Sequence, residues 1–496
     1  MTTMEAAPGA GGRGRRASLG ALALTGASVL RLSLQFAMLP ILARLIGPAE
    51  YGLVALAMPF ILLANVLADG GMGYALGRRQ EVSRDEETTV FWLSGAIGLA
   101  LSLACCLAAW PMGALMDQPR LPLLIAALSP ILFLNSLTTV ANGRIIREGR
   151  FAIFAGGDLI STVASAATAL AAALAGWGAW ALVAQQLVLW TCKLAWVASR
   201  AGTPIRFHYR FEEAKRLLTF GVHTIGAILA DFAARNLDSL IVGGVLGATT
   251  LGYYAMAYQL VRAPDMLISG PLYLYIFTAV ARTAHQGSPA AMQDLAAAGL
   301  RLGAAALAPV FCGLALTADL AVPLVLGDKW IAAVVPLRLL CAAGFFFCLC
   351  SIMATTLMGL GKSALRLKLS LALGVGTVGA VALCARFGLQ AVSAGAAAAM
   401  GAVCGLYLCV LARELGATAT RLAAGLGPAA IGCTAMAAAV AGVRSLALPP
   451  VVEFAVAVLV GASVYLGVLS LFRRRLIADA RAFGRAQSDD QAVAAA

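Results

Sequence analysis

Apolar runs long enough to cross a bilayer recur throughout this chain, and they exclude a water-soluble fold. A hydrocarbon core about 30 Å thick takes roughly 20 apolar residues as a helix. Fourteen such runs are read: near 19–46, 51–77, 88–110, 121–142, 153–175, 178–199, 218–246, 251–280, 295–317, 333–359, 365–385, 389–411, 423–443 and 451–472. The tightest break falls at Gly176-Trp177-Gly178. Composition agrees: 61% of the 496 residues are apolar and 12% charged, against about half and about a quarter in soluble domains. An outer-membrane barrel needs short segments of alternating hydrophobicity, and the runs here are long and unbroken. The expected class is an all-α integral membrane protein with about fourteen spans.

Basic residues fix the orientation, because lysine and arginine stay on the cytoplasmic side. With an even number of spans both termini share a side. Placing that side in the cytoplasm puts twenty-five of the 36 basic residues in cytoplasmic segments, among them Arg13, Arg15, Arg78, Arg144, Arg147, Arg150, Arg200, Lys362 and Arg473. Five lie on the opposite side (Arg44, Arg120, Lys329, Arg386, Arg444), and six lie within spans (Arg31, Lys193, Arg235, Arg262, Arg301, Arg338). Topology therefore accounts for the net charge of +13. The basic residues are scattered over short loops with no nucleic-acid module, so no nucleic-acid partner is expected. Arg15-Arg16 loosely resembles a twin-arginine signal, but the run after it is far longer than a signal h-region. Almost all eleven cysteines fall in spans without metal-ligand spacing, so neither disulfides nor a metal is expected.

The sequence repeats itself. Residues 45–57 (Leu-Ile-Gly-Pro-Ala-Glu-Tyr-Gly-Leu-Val-Ala-Leu-Ala) align without a gap to 245–257 (Val-Leu-Gly-Ala-Thr-Thr-Leu-Gly-Tyr-Tyr-Ala-Met-Ala), an offset of 200. Gly47, Gly52, Ala55 and Ala57 match Gly247, Gly252, Ala255 and Ala257. Both segments sit at the outer turn between the first two helices of a six-helix set, where glycine permits a tight turn. Six spans per copy gives two lobes of like orientation, a parallel repeat facing a central cavity. The chain then divides into an N-lobe (1–199, helices 1–6), a cytoplasmic linker (200–217), a C-lobe (218–411, helices 7–12), and 412–496 with two further helices and a cytoplasmic tail. The linker mixes basic and aromatic residues and reads equally as an interfacial amphipathic helix or a solvated connection.

The pattern Pro40-x-x-Ala-Arg44-Leu-Ile-Gly-Pro-Ala-Glu-Tyr-Gly52-Leu-Val-Ala-Leu56, with Phe220-Gly221, Asn236-Leu-Asp238-Ser-Leu-Ile-Val-Gly-Gly-Val-Leu-Gly247 and Leu251-Gly-Tyr-Tyr-Ala-Met-Ala-Tyr258, resembles the signatures of Wzx-type polysaccharide flippases. These belong to the multidrug/oligosaccharidyl-lipid/polysaccharide exporter superfamily. The resemblance covers roughly residues 15–420. It implies a transporter in the bacterial inner membrane, not an enzyme. It would carry undecaprenyl-diphosphate-linked oligosaccharide repeat units to the periplasmic leaflet for capsule, O-antigen or exopolysaccharide synthesis. The expected partners are that lipid-linked substrate, membrane lipids and other polysaccharide assembly proteins. No cofactor is expected, and coupling to a proton or sodium gradient is left open.

Ionisable residues inside spans are costly and mark functional candidates. Arg31 and Gln35 share one face of helix 1, and Asp231, Arg235 and Asp238 share one face of helix 7 beside Asn236. Arg262 and Asp265 lie in helix 8, and Arg31 and Asp231 are repeat equivalents. Guanidinium gives bidentate, permanently charged hydrogen bonds to phosphate. Arg31, Gln35, Arg235, Asn236 and Arg262 are therefore the expected substrate contacts. Asp231, Asp238 and Asp265 are expected to hold the arginines or carry a coupling ion. The competing reading is pairing within a helix, Asp231 with Arg235 and Arg262 with Asp265. His223, Lys193 and Arg301 are read as interfacial or snorkelling. Three rival functions stand beside the flippase, one of them a non-transporting scaffold, which the sequence leaves open. A multidrug cation exporter would want an acidic cavity. A membrane polymerase or ligase would want an external platform, and the longest outer loop, near 318–332, carries only Asp319, Asp328 and Lys329.

Overall fold

The computed structural model describes residues 10–69, 83–202, 236–286, 289–481 and Phe483, and these are helical apart from short turns. Twelve stretches among them are long and apolar enough to cross a membrane. They correspond to twelve of the fourteen expected spans. Of the expected seventh span, residues 218–235 lie outside the described residues, and Asn236–Leu246 is a short apolar helix. The eighth falls within the helical stretch from Ala248 to Gln286. There two arms of 17 residues flank a π-turn, Asp265–Ser269. Each arm alone is shorter than the roughly 20 residues a bilayer needs. The turn follows Pro264, whose ring lacks the donor an α-helix requires.

The chain divides into two compact units, Met1–Phe232 and Ala233–Ala496. The expected linker, 200–217, lies mostly outside the described residues. The first unit holds α1 (Ala10–Leu45), α2 (Pro48–Asp69), α3 (Arg84–Leu115), α4 (Leu121–Leu128), α5 (Pro130–Arg147), α6 (Phe151–Leu174) and α7 (Ala179–Ala201). The expected fourth span is broken at Ser129, because Pro130 starts a new helix. α1 packs along α6, α6 along α7, and α2 and α7 both pack on α5. Small residues allow close approach: a Cβ on Gly98 of α3 would collide with Ser136 of α5.

Both ends of this unit are tied by ions. α3 opens with a capping box, in which the Ser83 hydroxyl accepts from the Glu86 amide at 3.1 Å and the Glu86 carboxylate accepts from the Ser83 amide at 3.3 Å. In the same turn Glu87 is buried and ion-paired to Arg147, with Arg144 3.8 Å away. Arg144 also bonds Glu148 at 2.8 Å and donates to the Gly202 carbonyl at 2.8 Å. Its hydrogen bond holds Glu148 below the usual carboxylate range. The arginines read above as topology markers thus also bind three helix ends together. At the opposite end, Glu50 accepts from Arg120 at 2.7 Å and from the Ala179 amide at 3.1 Å. Gly178, at φ +55°, places that amide over the carboxylate.

The second unit holds α8 (Asn236–Leu246), α9 (Ala248–Pro264), α10 (Gly270–Gln286), α11 (Pro289–Leu326), α12 (Val334–Gly359), α13 (Ser363–Cys384), α14 (Leu389–Glu414), the short α15 (Ala419–Ala423), α16 (Gly427–Arg444) and α17 (Pro450–Leu471). α9 follows Gly247, at φ +86°, as α2 follows Gly47, so the repeated motif marks the same junction twice. The expected outer loop 318–332 is largely helical: α11 runs on to Leu326 and Asp328–Ala333 forms a 3-10 turn. α16 and α17 pack on each other and on α11 around Met436, Val440 and Tyr465. They are therefore integral to this unit. The tail also docks. Residues 473–481 are helical, Asp479 takes a two-point ion pair from Arg301 at 2.6 and 3.3 Å, and Phe483 is buried 6.0 Å from the Tyr275 ring. Arg301 is held by this partner and does not snorkel.

Candidate functional site

The helix ends remote from the arginine-rich loops are termed outer. At 1.5 Å per residue, Arg31, Asn65, Asn135, Asp158 and Lys193 all lie roughly 21–26 Å from the outer ends of α1, α2, α4–α5, α6 and α7. The first unit therefore carries a polar layer in the inner half of its spans. Asn135 donates to Asn65 at 2.6 Å, and Thr138 and Asn142 continue the ladder along α5. The Oδ1 of Asn142 is buried without a partner. Lys193 pairs with Asp158 at 2.8 Å, and its ammonium stands 5.1 and 5.5 Å from the Phe154 and Trp190 ring centroids. That pair neutralises itself, as an ion pair in low dielectric must.

Arg31 differs. It is half-buried, and among the described residues it has no ion-pair partner. Gln35, one turn on, is exposed. A permanently charged guanidinium within a span, with no ion pair among the described residues, is a candidate contact for an anion.

In the second unit Arg262 and Asp265 lie roughly 21–26 Å from the start of α9. They do not pair. Asp265 accepts from the Tyr273 hydroxyl at 3.1 Å and from the Cys348 thiol at 3.4 Å, both on one carboxylate oxygen. The π-turn carries Asp265 toward α10 and α12, while Arg262 stays exposed without an ion pair among the described residues. Intrahelical i,i+3 pairing assumes regular α geometry, and the turn begins at Asp265. Asp238 is buried on α8, accepting from the Tyr254 hydroxyl at 3.0 Å and from the Ser239 amide at 2.7 Å. Its partners among the described residues are thus the Tyr254 phenol and the amide and hydroxyl of Ser239. Asn236 opens α8. Asp231, Arg235 and His223 lie outside the described residues.

Sequence reasoning missed Asn65, Asn135 and Asp158. Each is a lone polar residue in an apolar run, and Asn65 is also the repeat equivalent of Asp265 at the offset of 200. It missed Glu50 as well, although that residue sits inside the repeated motif.

Comparison with known proteins follows from this architecture. The profile of the polysaccharide biosynthesis protein family matches residues 41–335. The chain is 26% identical over 349 residues to the succinoglycan biosynthesis transport protein ExoT of Rhizobium meliloti (strain 1021), covering 70% of each. It is 25% identical over 333 residues to the lipopolysaccharide biosynthesis protein WzxC of Escherichia coli (strain K12), covering 64% of this chain and 65% of that one. Its fold resembles the lipid II flippase MurJ in an inward closed conformation, with a TM-score of 0.72 at 13% identity, over 92% of this chain and 99% of MurJ. It also resembles an inward-facing multidrug resistance MATE transporter, with a TM-score of 0.60 at 17% identity, over 78% of this chain and 94% of that one. Family profile, relatives and fold agree with the Wzx-type signatures in residues 40–56 and 220–258: this chain is a multi-span, all-α membrane protein of the polysaccharide biosynthesis protein family.

Proposed function

We propose that the protein flips undecaprenyl-diphosphate-linked oligosaccharide repeat units from the cytoplasmic to the periplasmic leaflet of a bacterial inner membrane, by alternating access, with both termini cytoplasmic. The observation that carries this reading is the Arg31 guanidinium in the polar layer, which has no ion pair among the described residues. In the second unit Arg262 likewise has no ion pair among the described residues, which supports it. A guanidinium suits a diphosphate, which takes bidentate charged hydrogen bonds. Neighbouring asparagines suit sugar hydroxyls, as amides both donate and accept. The likeness to ExoT, a succinoglycan biosynthesis transport protein, and to WzxC, a lipopolysaccharide biosynthesis protein, supports the substrate class. Asp265, at the π-turn, is the proposed residue for coupling to a proton or sodium gradient, since π-turns concentrate at functional positions. The fold likeness to a MATE transporter favours a second reading, a multidrug exporter. Arginines within spans that have no ion pair among the described residues count against it, because they repel cationic drugs. Deleting the gene decides between them: the flippase reading expects lipid-linked repeat units to accumulate and surface polysaccharide to vanish. Unchanged polysaccharide with raised drug sensitivity refutes it.

A further inference from the structure

Arg444 and Arg338 are among the few basic residues on or near the side opposite the arginine-rich loops, so topology does not explain them. The structure brings them together. On the outer half of the second unit, Asp319 of α11 accepts from Arg338 of α12 at 2.8 Å and from Arg444, at the end of α16, at 2.5 Å. Both bonds fall on the same carboxylate oxygen. Each arginine also donates to an α11 carbonyl, Arg338 to Ala315 at 3.2 Å and Arg444 to Leu316 at 2.8 Å. Two guanidiniums share one carboxylate, so the cluster carries an excess positive charge. The Nε of Arg444 is buried and has no hydrogen-bond partner among the described residues.

The surroundings indicate what neutralises that charge. The α16–α17 turn beside Arg444 exposes Leu446 and Val451, at 64% and 66%. On α12 and the turn before it, Ile331 and Val335 are exposed on the face that Arg338 continues. Large apolar side chains exposed at these positions suit the boundary between headgroups and acyl chains. Glu453, in the first turn of α17, makes no ion pair with either arginine among the described residues. A half-exposed cationic pair at a helix-end turn on a lipid-facing surface lies at headgroup level, where phosphate is the abundant anion. Arginine is suited to phosphate through its planar fork of donors.

We propose that Arg338, Arg444 and Asp319 form an outer-leaflet site for the phosphate of an anionic phospholipid headgroup. Asp319 holds the two guanidiniums in register and sets their net charge. The lipid phosphate takes the donors that Asp319 and the α11 carbonyls leave free. The site is separate from the proposed transport residues.

The test is lipid binding by the purified full-length protein in uncharged detergent, with phosphatidylglycerol, phosphatidylcholine and inorganic phosphate titrated in turn and retained lipid counted by native mass spectrometry. Phosphatidylglycerol should be retained well above phosphatidylcholine. Replacing both arginines (Arg338→Gln with Arg444→Gln) should weaken that retention by at least about tenfold, the effect of losing a charged hydrogen bond. Asp319→Asn keeps the shape but adds a unit of net positive charge, so it should tighten binding. A purely structural triad predicts no tightening. Equal retention of phosphatidylcholine, unchanged binding by the glutamine variant, or weaker binding by Asp319→Asn overturns the proposal. So does inorganic phosphate that competes at the lipid's own concentration, which would make this a free-anion site.

Discussion

Lys193 and Asp158 form the ion pair within the polar layer, and separating them has a computable cost. At 2.8 Å the Coulomb attraction is about 6 kcal/mol at an effective dielectric near 20. Desolvation takes back much of this. Exposed pairs couple by about 0.2–1 kcal/mol, whereas stripping one partner from a buried pair costs about 3–5 kcal/mol. The two side chains are 16% and 21% exposed, so the pair belongs near the buried limit, and we expect a coupling of about 2–3 kcal/mol. Lys193→Met also forfeits the contacts with the Phe154 and Trp190 rings, worth about 0.5–1 kcal/mol each. Asp158→Asn and Lys193→Met should each destabilise strongly, and the double variant should cost about 2–3 kcal/mol less than their sum. Sodium dodecyl sulfate unfolding of the purified protein in mixed micelles measures the cycle. Because the pair neutralises itself, the double variant should still export polysaccharide. Coupling below about 0.5 kcal/mol would place the pair in a water-like setting and refute the reasoning.

Further outcomes follow from the ends of the first unit and from the tail. Glu50→Ala should cost about 1–2 kcal/mol, mostly the cap on the Ala179 amide, whereas Glu50→Gln, which can still accept from that amide, should cost less in the same unfolding assay. Glu148 lies below its ordinary value of 4.5, so its contribution is complete above that pH and fades as pH falls through the depressed value. An acid titration of stability should show this loss in the parent and a flatter profile in Glu148→Gln. Asp479→Asn should release the tail from Arg301, and limited proteolysis should then cut near 473–481 faster than in the parent.

Much of the architecture was legible because bilayer thickness and charge bias act on every span independently. The Gly47 and Gly247 junctions were legible as a repeat because one turn geometry was used twice. The pairing of charges was not legible. Arg262 and Asp265 satisfy the i,i+3 spacing, yet the π-turn after Pro264 sends the carboxylate to Tyr273 and Cys348. No one-helix rule anticipates that. Asp158 and Lys193 are 35 positions apart, so only the hairpin of α6 and α7 reveals them as partners. Arg301 reads as a snorkelling residue until the tail is seen to fold back on it. Sequence spacing thus located the charged residues but not their neutralisation, and that decides which cations remain for a substrate.

Arg31 is the residue on which the account turns. The decisive measurement is surface polysaccharide, with membrane-bound lipid-linked repeat units, in a strain whose only copy carries Arg31→Ala at parental protein levels. The account predicts that export is lost and the lipid-linked precursor accumulates on the cytoplasmic leaflet. Parental export by that variant would contradict it.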